Sequence, residues 1–361
     1  MNIDKNNMEP LEIWLDAKQS NTHQFPYGKN NYFDVYWTIK QYCVQHIYPL
    51  IGAGTSAEDG GVYTDHSLDH FNSVIRYAGK LLAIPTDKKL IVSHDLPLQP
   101  YEIFIMLTSI LLHDAGNIEG RKKHEQKTHD IIHTIGPNID SFEKNVIAAV
   151  AKAHGGKIID SSGNESKDTI GPLRERDTYL GVSFRPQLIA AIVRFSDEIC
   201  EDRSRAARYP LVKGLLPKKS EVFHQYAYSI TSVDIDIRSK SVSIKFEVVE
   251  DNLVKMFGKD NGSDMPQEVY LIDEINQRLE KMYCEMQYCK SHMFDAVPIS
   301  QIRAAVHIFE DENQYLPLRE HSFVLKETGY PMNTFSFSAT HPDWCGESVE
   351  RVILEKKGVE Q

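Results

Sequence analysis

The chain has 361 residues, of which 41% are hydrophobic, and a formal net charge of −11. This length can bury one large hydrophobic core or two smaller ones, and the acidic balance argues against a protein that coats nucleic acid over its whole surface. Five scattered cysteines without a CxxC motif argue against a disulfide framework and favour a reducing compartment. The acidic, polar N-terminus and the lack of an apolar run of membrane-spanning length predict a soluble, cytoplasmic protein with no membrane partner.

Two helices are predicted in the first part of the chain. Aromatic and aliphatic residues between Asn31 and Ile51 follow helical spacing, which is typical of a helix that packs in the core. A second helix follows Asp65 and carries His66 and His70. His70 shares its face with apolar residues, and a buried imidazole needs either a hydrogen-bond acceptor or a metal.

The next predicted helix follows Pro100 and ends in an adjacent His113 and Asp114, with Gly116 as its stop signal. Neutral imidazole and carboxylate are both good ligands for borderline metals, and consecutive residues at a helix end can point into one cleft. A His-Asp pair alone is also common by chance.

Basic residues surround the next histidine, His124. Arg121, Lys122, Lys123 and Lys127 are compatible with a solvated helix start and equally with a site for an anionic substrate. A further helix, Phe142 to Ala153, ends at His154.

Residues from Ile158 to Thr178 have the polar composition of a mobile loop or lid. Pro186 then opens a core helix that contains Asp197. A buried carboxylate is costly unless it is paired or metal-bound, and both a salt bridge to Arg194 or Arg203 and a metal remain open.

The composition changes after Pro210. A linker over residues 211–220 precedes an alternating apolar pattern that predicts a hairpin turning at Arg238 to Ser241, then a helix from about Leu271, then further strands. We therefore predict a metal-binding helical domain at 1–212 and an accessory α+β domain at 213–361.

Taken together, the chemically active residues fall in a definite order: His70, His113-Asp114, His124, His154 and Asp197. Over about residues 30–210 this order resembles the HD superfamily of metal-dependent phosphohydrolases. HFNSVIRYAGKLL is similar to the family's first-histidine helix, ILLHDAGN to its signature element, and AAIVRFSDEICEDR to its last aspartate helix. The longer string YTDHSLDH…LLHDAGN…RKKH is similar to HD domains of bacterial conflict and stress-response proteins. Cyclic-dinucleotide phosphodiesterases of the family differ, because their HDxGK motif has lysine where this chain has Asn117.

The resemblance implies a mainly α fold, an HD-type helical bundle followed by a smaller α+β domain. It also implies a hydrolase that uses a metal-activated hydroxide on a nucleotide or related phosphate ester or anhydride, as a phosphomonoesterase, phosphodiesterase or dNTPase. Six ligands on five helices are better explained by two metals bridged by Asp114 than by one metal. Imidazole and carboxylate without thiolate favour iron or manganese, with cobalt, nickel or zinc as alternatives.

The expected roles are as follows. The metal ligands are His70, His113, Asp114, His124, His154 and Asp197. The catalytic residues are Asp114 and His124. The substrate-binding residues are His66, Asn117, Arg121, Lys127, Arg194 and Arg203.

Two other functions remain open, an HD-fold diiron oxygenase and a non-enzymatic regulatory module. The expected partner is a phosphorylated small molecule, with a nucleotide favoured over nucleic acid. A homo-oligomer or a protein partner could form through the C-terminal domain.

Overall fold

The protein is described by a computed structural model over residues 3–29, 31–55, 68–119, 124–135, 139–159, 162–293, 296–311, 313–327 and 337–359. Contacts divide the chain into two compact units. The first comprises the described residues within 1–57, 66–200 and 288–298, and the second comprises those within 201–287 and 299–361. The predicted domains, 1–212 and 213–361, stay a prediction about independent folding.

The first unit is mainly helical. Its helices are α1 (Pro10–Lys18), α2 (Tyr32–Tyr42), α3 (Tyr48–Thr55), α4 (Leu68–Leu81), α5 (Lys88–Ser93), α6 (Pro100–Leu112), α7 (Thr128–Ile135), α8 (Ser141–Lys152) and α9 (Pro186–Glu198). A π-helical turn, Cys43–Ile47, joins α2 to α3 within the predicted packing helix. Short 3-10 turns lie at Lys5–Asn7, Thr22–Gln24, Pro26–Gly28, Ala115–Glu119 and His124–Gln126.

Helix α6 is the centre of this unit. All its residues are buried, and it packs against α1, α2, α4, α8 and α9. Pro100 occupies the first helical position, where its missing N–H is not needed, and Gln99 and Glu102 form a capping box. A helix that is apolar on every side must be surrounded by other elements, which is why the residues that follow α6 emerge inside the unit.

The predicted loop over Ile158 to Thr178 contains short strands. β1 (Ile158–Ile159) pairs with β2 (Glu165–Ser166), and β3 (Asp177–Tyr179) pairs with β4 (Val182–Phe184). Thr169 and Ile170 between these hairpins are buried.

The second unit is α+β. It contains α10 (Arg208–Val212), α11 (Glu221–Ser229), α12 (Glu250–Leu253), α14 (Phe337–Thr340), α15 (Gly346–Val359) and residues 271–287 of α13 (Leu271–Met293). Its strands are β5 (Ile230–Asp236), β6 (Ser241–Val249), β7 (Met256–Lys259), β8 (Gln267–Tyr270), β9 (Gln301–Phe309) and β10 (Arg319–Lys326). Two 3-10 turns, Arg203–Arg205 and Lys218–Ser220, precede α10 and α11.

A four-stranded sheet in the order β10-β9-β6-β5 forms its centre. The β5–β6 and β9–β10 pairs are antiparallel and the β6–β9 pair is parallel, with Val242 opposite Ile302. Alternate residues of β6 and β9 are buried, as expected for a sheet with one packed face. The predicted hairpin, helix and later strands are all present, so the expected mainly α chain with a smaller α+β part is confirmed.

Among the described residues, no helix has both the length and the apolar character that crossing a membrane requires.

Candidate metal centre

Helix ends of the first unit bring six of the predicted residues together. His70 lies in the first turn of α4 and Asp197 in the last turn of α9, while His113 and Asp114 directly follow α6. His154 comes just after α8, and His124 opens a 3-10 turn. Helix ends suit this purpose because a side chain there can leave the packed layer without interrupting it.

The six residues form two groups of three. The first triad is His70, His113 and Asp197, and the second triad is Asp114, His124 and His154; within each, one potential ligand atom of every member lies within 4.8 Å of the others. In the first triad, Asp197 Oδ1 is 3.4 Å from His70 Nε2 and 3.5 Å from His113 Nε2. In the second triad, the two histidine Nε2 atoms are 3.3 Å apart.

Asp114 connects the two triads. Its Oδ1 lies 3.0 Å from His124 Nε2 and 3.7 Å from His154 Nε2. Its Oδ2 lies 3.5 Å from His113 Nε2 and 3.8 Å from His70 Nε2. One carboxylate therefore offers a different oxygen to each triad, which is the arrangement that a bridging ligand needs.

The other ring nitrogen of each histidine meets a second group. His113 Nδ1 is 2.7 Å from the Ile110 carbonyl oxygen, and His154 Nδ1 is 2.6 Å from the Ala151 carbonyl oxygen. A carbonyl oxygen accepts from an Nδ1–H, and this leaves the Nε2 lone pair of a neutral imidazole for a metal.

The remaining two histidines have side-chain neighbours at Nδ1. Cys200 Sγ lies 3.8 Å from His70 Nδ1, and Glu125 Oε2 lies 3.6 Å from His124 Nδ1. Neither Cys200 nor Glu125 was predicted from the sequence. In the sequence, Glu125 stands out only because it is next to His124. Cys200 stands out only because it lies about one helical turn after Asp197.

Opposing charges control protonation when no metal is bound. Burial of His113 lowers its pKa, but the carboxylates of Asp114 and Asp197 outweigh burial and raise the pKa to about 9. Burial raises the pKa of Asp197, yet His113 and His70 bring that pKa well below its usual range. Burial and the neighbouring His113 lower the pKa of His154 to about 4. Near neutral pH the two triads therefore differ, because His113 is positively charged and His154 is neutral.

The donor set fits transition-metal ions. Four imidazoles and two carboxylates surround the centre, and the nearby thiol of Cys200 lies on the Nδ1 side of His70. The Nε2 of His113 is buried, with no hydrogen-bond partner among the described residues. Such an uncompensated ring nitrogen facing two carboxylates is expected of a metal ligand.

Gly116 lets the backbone of His124 come close to the segment that carries Asp114. A Cβ atom at Gly116 would lie 2.0 Å from the His124 carbonyl oxygen, so no other residue fits without moving the backbone. Helix α6 already ends at Leu112, and Gly116 lies inside the 3-10 turn that follows. The predicted stop signal is thus better explained as a close approach of two backbone segments.

Asn117 lies three residues after Asp114 and is fully buried. Within the described part of the chain, neither its Oδ1 nor its Nδ2 has a hydrogen-bond partner. A buried amide in this state is costly, so we expect it to meet a ligand or an ordered water.

The other predicted substrate residues are placed differently. Arg194 is buried and donates to the Lys167 carbonyl oxygen and to Thr169 Oγ1, with its guanidinium carbon 4.6 Å from the Tyr288 ring centre. Thr169 in turn donates to the Ala153 carbonyl oxygen, next to His154. These contacts favour a structural role for Arg194.

Lys127 is half-buried, and its backbone N–H donates to the His124 carbonyl oxygen. Arg203 belongs to the second unit, where it contacts Tyr228. His66 and Arg121 lie outside the described residues, as do Lys122 and Lys123. Substrate binding by any of these residues stays a prediction.

Comparison with known proteins gave one family match. The HD-CE family model matches residues 61–281, which is more than half of the chain and includes both triads. Searches of curated proteins and of solved structures found no match. Because the family model covers most of the chain, the protein belongs to the HD-CE family.

Proposed function

We propose that the protein is a metal-dependent phosphohydrolase acting on a nucleotide or a related phosphate ester or anhydride, with its centre in an HD-type helical bundle. The observation that carries the proposal is the position of Asp114, which presents one carboxylate oxygen to each triad. Family membership supports a hydrolase, and the twin triads support two metal ions in place of one.

The first triad would hold one ion and the second triad the other, with Asp114 shared. Two bound divalent ions supply a nucleophile from water near neutral pH and offset charge on phosphoryl oxygens. Iron or manganese suits this nitrogen and oxygen donor set, and cobalt, nickel and zinc are alternatives.

The chain itself orients the ligands and receives the substrate. Asp114 fixes the spacing between the triads, and the carbonyl groups behind His113 and His154 hold their rings in one orientation. His124 has a side chain 17% exposed, more than the other three histidines of the centre, so it is the imidazole that a phosphate group can reach most easily. We assign it a catalytic role as well as metal binding.

Asn117 and Lys127 would contact the substrate. The buried amide of Asn117 can donate to one phosphate oxygen and accept from a hydroxyl group or water. Lys127 adds a positive charge close to His124 in sequence.

The test is phosphate release from a panel of nucleotides, cyclic nucleotides and simple phosphate esters, with manganese or iron supplied. We expect turnover of at least one substrate and a loss of about 1000-fold or more in Asp114→Ala, because this change removes a ligand of both ions. Asp114→Asn keeps the shape of the side chain and should lose nearly as much activity.

Asp130→Ala is the matched control, because Asp130 is an exposed aspartate outside both triads and should leave turnover unchanged. Unchanged turnover in both Asp114 variants, with their circular dichroism intact, would contradict the proposal. Oxygen consumption without phosphate release would replace it with oxygenase chemistry.

A further inference from the structure

A cavity of about 290 Å³ lies within the second unit, and no residue of either triad lines it. Its walls come from the Arg203–Arg205 turn, α10, α11, β6, α12 and the end of β9. The side chains used below are Arg203, Arg208, Gln225, Tyr228, Asn252 and Phe309. This volume is at the lower end of the range for small-molecule sites, so the cavity suits one compact ligand and no polymer.

Several polar groups in this cavity are unused. The side chains of Arg208, Gln225 and Asn252 make no hydrogen bond or ion pair with the described residues. Gln225 and Asn252 are half-buried, whereas Arg208 is exposed. Polar groups that line a concave surface and have no protein partner are open to a ligand.

Two arginines, Arg203 and Arg208, and two carboxylates, Glu247 and Asp311, line the cavity. Glu247 lies 3.8 Å from Arg203 and 3.5 Å from Lys245, so it already has two positive neighbours. Asp311 accepts from the backbone N–H of Asn313. No carboxylate of the described residues pairs with Arg208, and its guanidinium group is therefore available to an anion.

The cavity also has flat surfaces. Arg203 donates through Nε to the Tyr228 carbonyl oxygen at 2.7 Å, and its guanidinium carbon is 4.9 Å from the Tyr228 ring centre. These two contacts fix the guanidinium plane. A fixed arginine plane, together with the rings of Tyr228 and Phe309, can stack on a heteroaromatic ring.

We propose that this cavity binds a nucleoside monophosphate, separately from the metal centre. Arg208 takes the phosphate, and the base stacks against Arg203 and the aromatic rings. The amides of Gln225 and Asn252 hydrogen-bond the edge of the base, for which each has both donor and acceptor atoms. None of these residues belongs to either triad, so the site does not depend on the proposed hydrolysis.

The experiment is calorimetric titration of the full-length, EDTA-treated protein with AMP, GMP, CMP and UMP, and with ribose 5-phosphate and inorganic phosphate. We expect at least one nucleotide to bind with about one site per chain and at least about tenfold more tightly than inorganic phosphate. Arg208→Gln should weaken binding about tenfold or more, and Gln225→Ala should weaken it less. Arg208 is exposed and makes no ion pair with the described residues, so its variant should fold normally.

Arg238→Gln is the matched control, because Arg238 is an exposed arginine of the same unit that does not line the cavity. Equal affinity in Arg208→Gln and the parent overturns the proposal, as does binding of phosphate as tight as that of every nucleotide. Loss of binding in Asp114→Asn, with Arg208→Gln unaffected, would place the nucleotide at the metal centre instead. Phosphate release by Arg208→Gln tests the proposed hydrolysis independently of nucleotide binding in this cavity, because Arg208 belongs to neither triad.

Discussion

The two triads of the candidate metal centre differ in what holds their histidines. The first triad stands on long helices, with His70 in α4 and His113 directly after the buried α6. In the second triad, His124 stands on a three-residue 3-10 turn. All members of the first triad are therefore held by long helices, whereas the second triad has one member, His124, that relies on local contacts.

Local contacts around the second triad are tight. Gly116 lies against the His124 backbone, and the Glu125 side chain lies against Gly156, where a Cβ atom would come within 2.8 Å of the carboxylate. The His124 side chain is 17% exposed, and that of His113 is fully buried. A shared carboxylate thus joins a triad whose two histidines are almost fully buried to one in which His124 is partly exposed. We expect the first triad to hold its ion more tightly.

The largest difference between the triads should come from replacing one histidine, either in the first triad or in the second. His124→Ala should leave about one tightly bound ion per chain, whereas His113→Ala should lose the tight ion and leave only one that dialysis removes. Both should lower turnover by about 100-fold or more, because each disrupts a ligand set. Elemental analysis before and after dialysis measures the difference.

His129→Ala serves as the control, because His129 is exposed and belongs to neither triad. Identical metal content and identical retention in His113→Ala and His124→Ala would remove the distinction between the triads.

A smaller effect is expected from Glu125→Gln. Its carboxylate, 3.6 Å from His124 Nδ1, favours the orientation in which Nε2 faces Asp114. Losing that charge should lower the affinity of the second triad for its ion about 10- to 100-fold and leave the affinity of the first triad unchanged. Effects of this size are usual for groups that hydrogen-bond metal ligands. Competition with a chelator at graded metal concentrations gives both affinities.

Glu175→Gln, a change at an exposed glutamate, should have no effect on either affinity. If Glu125→Gln lowered the affinity for both ions equally, Glu125 would support the fold and not His124 in particular.

The smallest effect is a pH dependence of the EDTA-treated protein that differs between the triads. The pKa of His113 is raised from 6.5 to about 9, so its contribution to the free energy of unfolding is complete below pH 6.5 and is lost as the pH rises to about 9. The pKa of His154 is lowered from 6.5 to about 4, so stability is lost as the pH falls from 6.5 to about 4.

Urea unfolding between pH 4.5 and 9 (about the span over which these two groups titrate) measures both limbs. His154→Gln should flatten the acid limb. His113→Gln should flatten the alkaline limb and also make the acid limb shallower, because the charge of His113 helps to lower the pKa of His154. A parent protein whose stability rises continuously from acid to alkaline pH would contradict the assignment of the proton to His113.

Local pattern was enough to predict the main elements and the metal-ligand candidates. Helical spacing identifies α4, α6 and α9, and strict alternation identifies the β5–β6 hairpin, because side-chain periodicity depends only on near neighbours in the chain. Histidine and aspartate at helix ends gave the single candidates, and the resemblance to the HD superfamily then selected the six residues that the structure brings together in two triads.

Other features required the folded chain. The sequence could not show that Arg194 is occupied by Thr169, that Arg203 lines a cavity of the second unit, or that Glu125 and Cys200 stand behind two histidines. The sequence also could not show how the six ligands divide between two triads. Each depends on which distant segments pack against one another, and contacts between distant segments follow from the packing of the whole unit, which no local periodicity records.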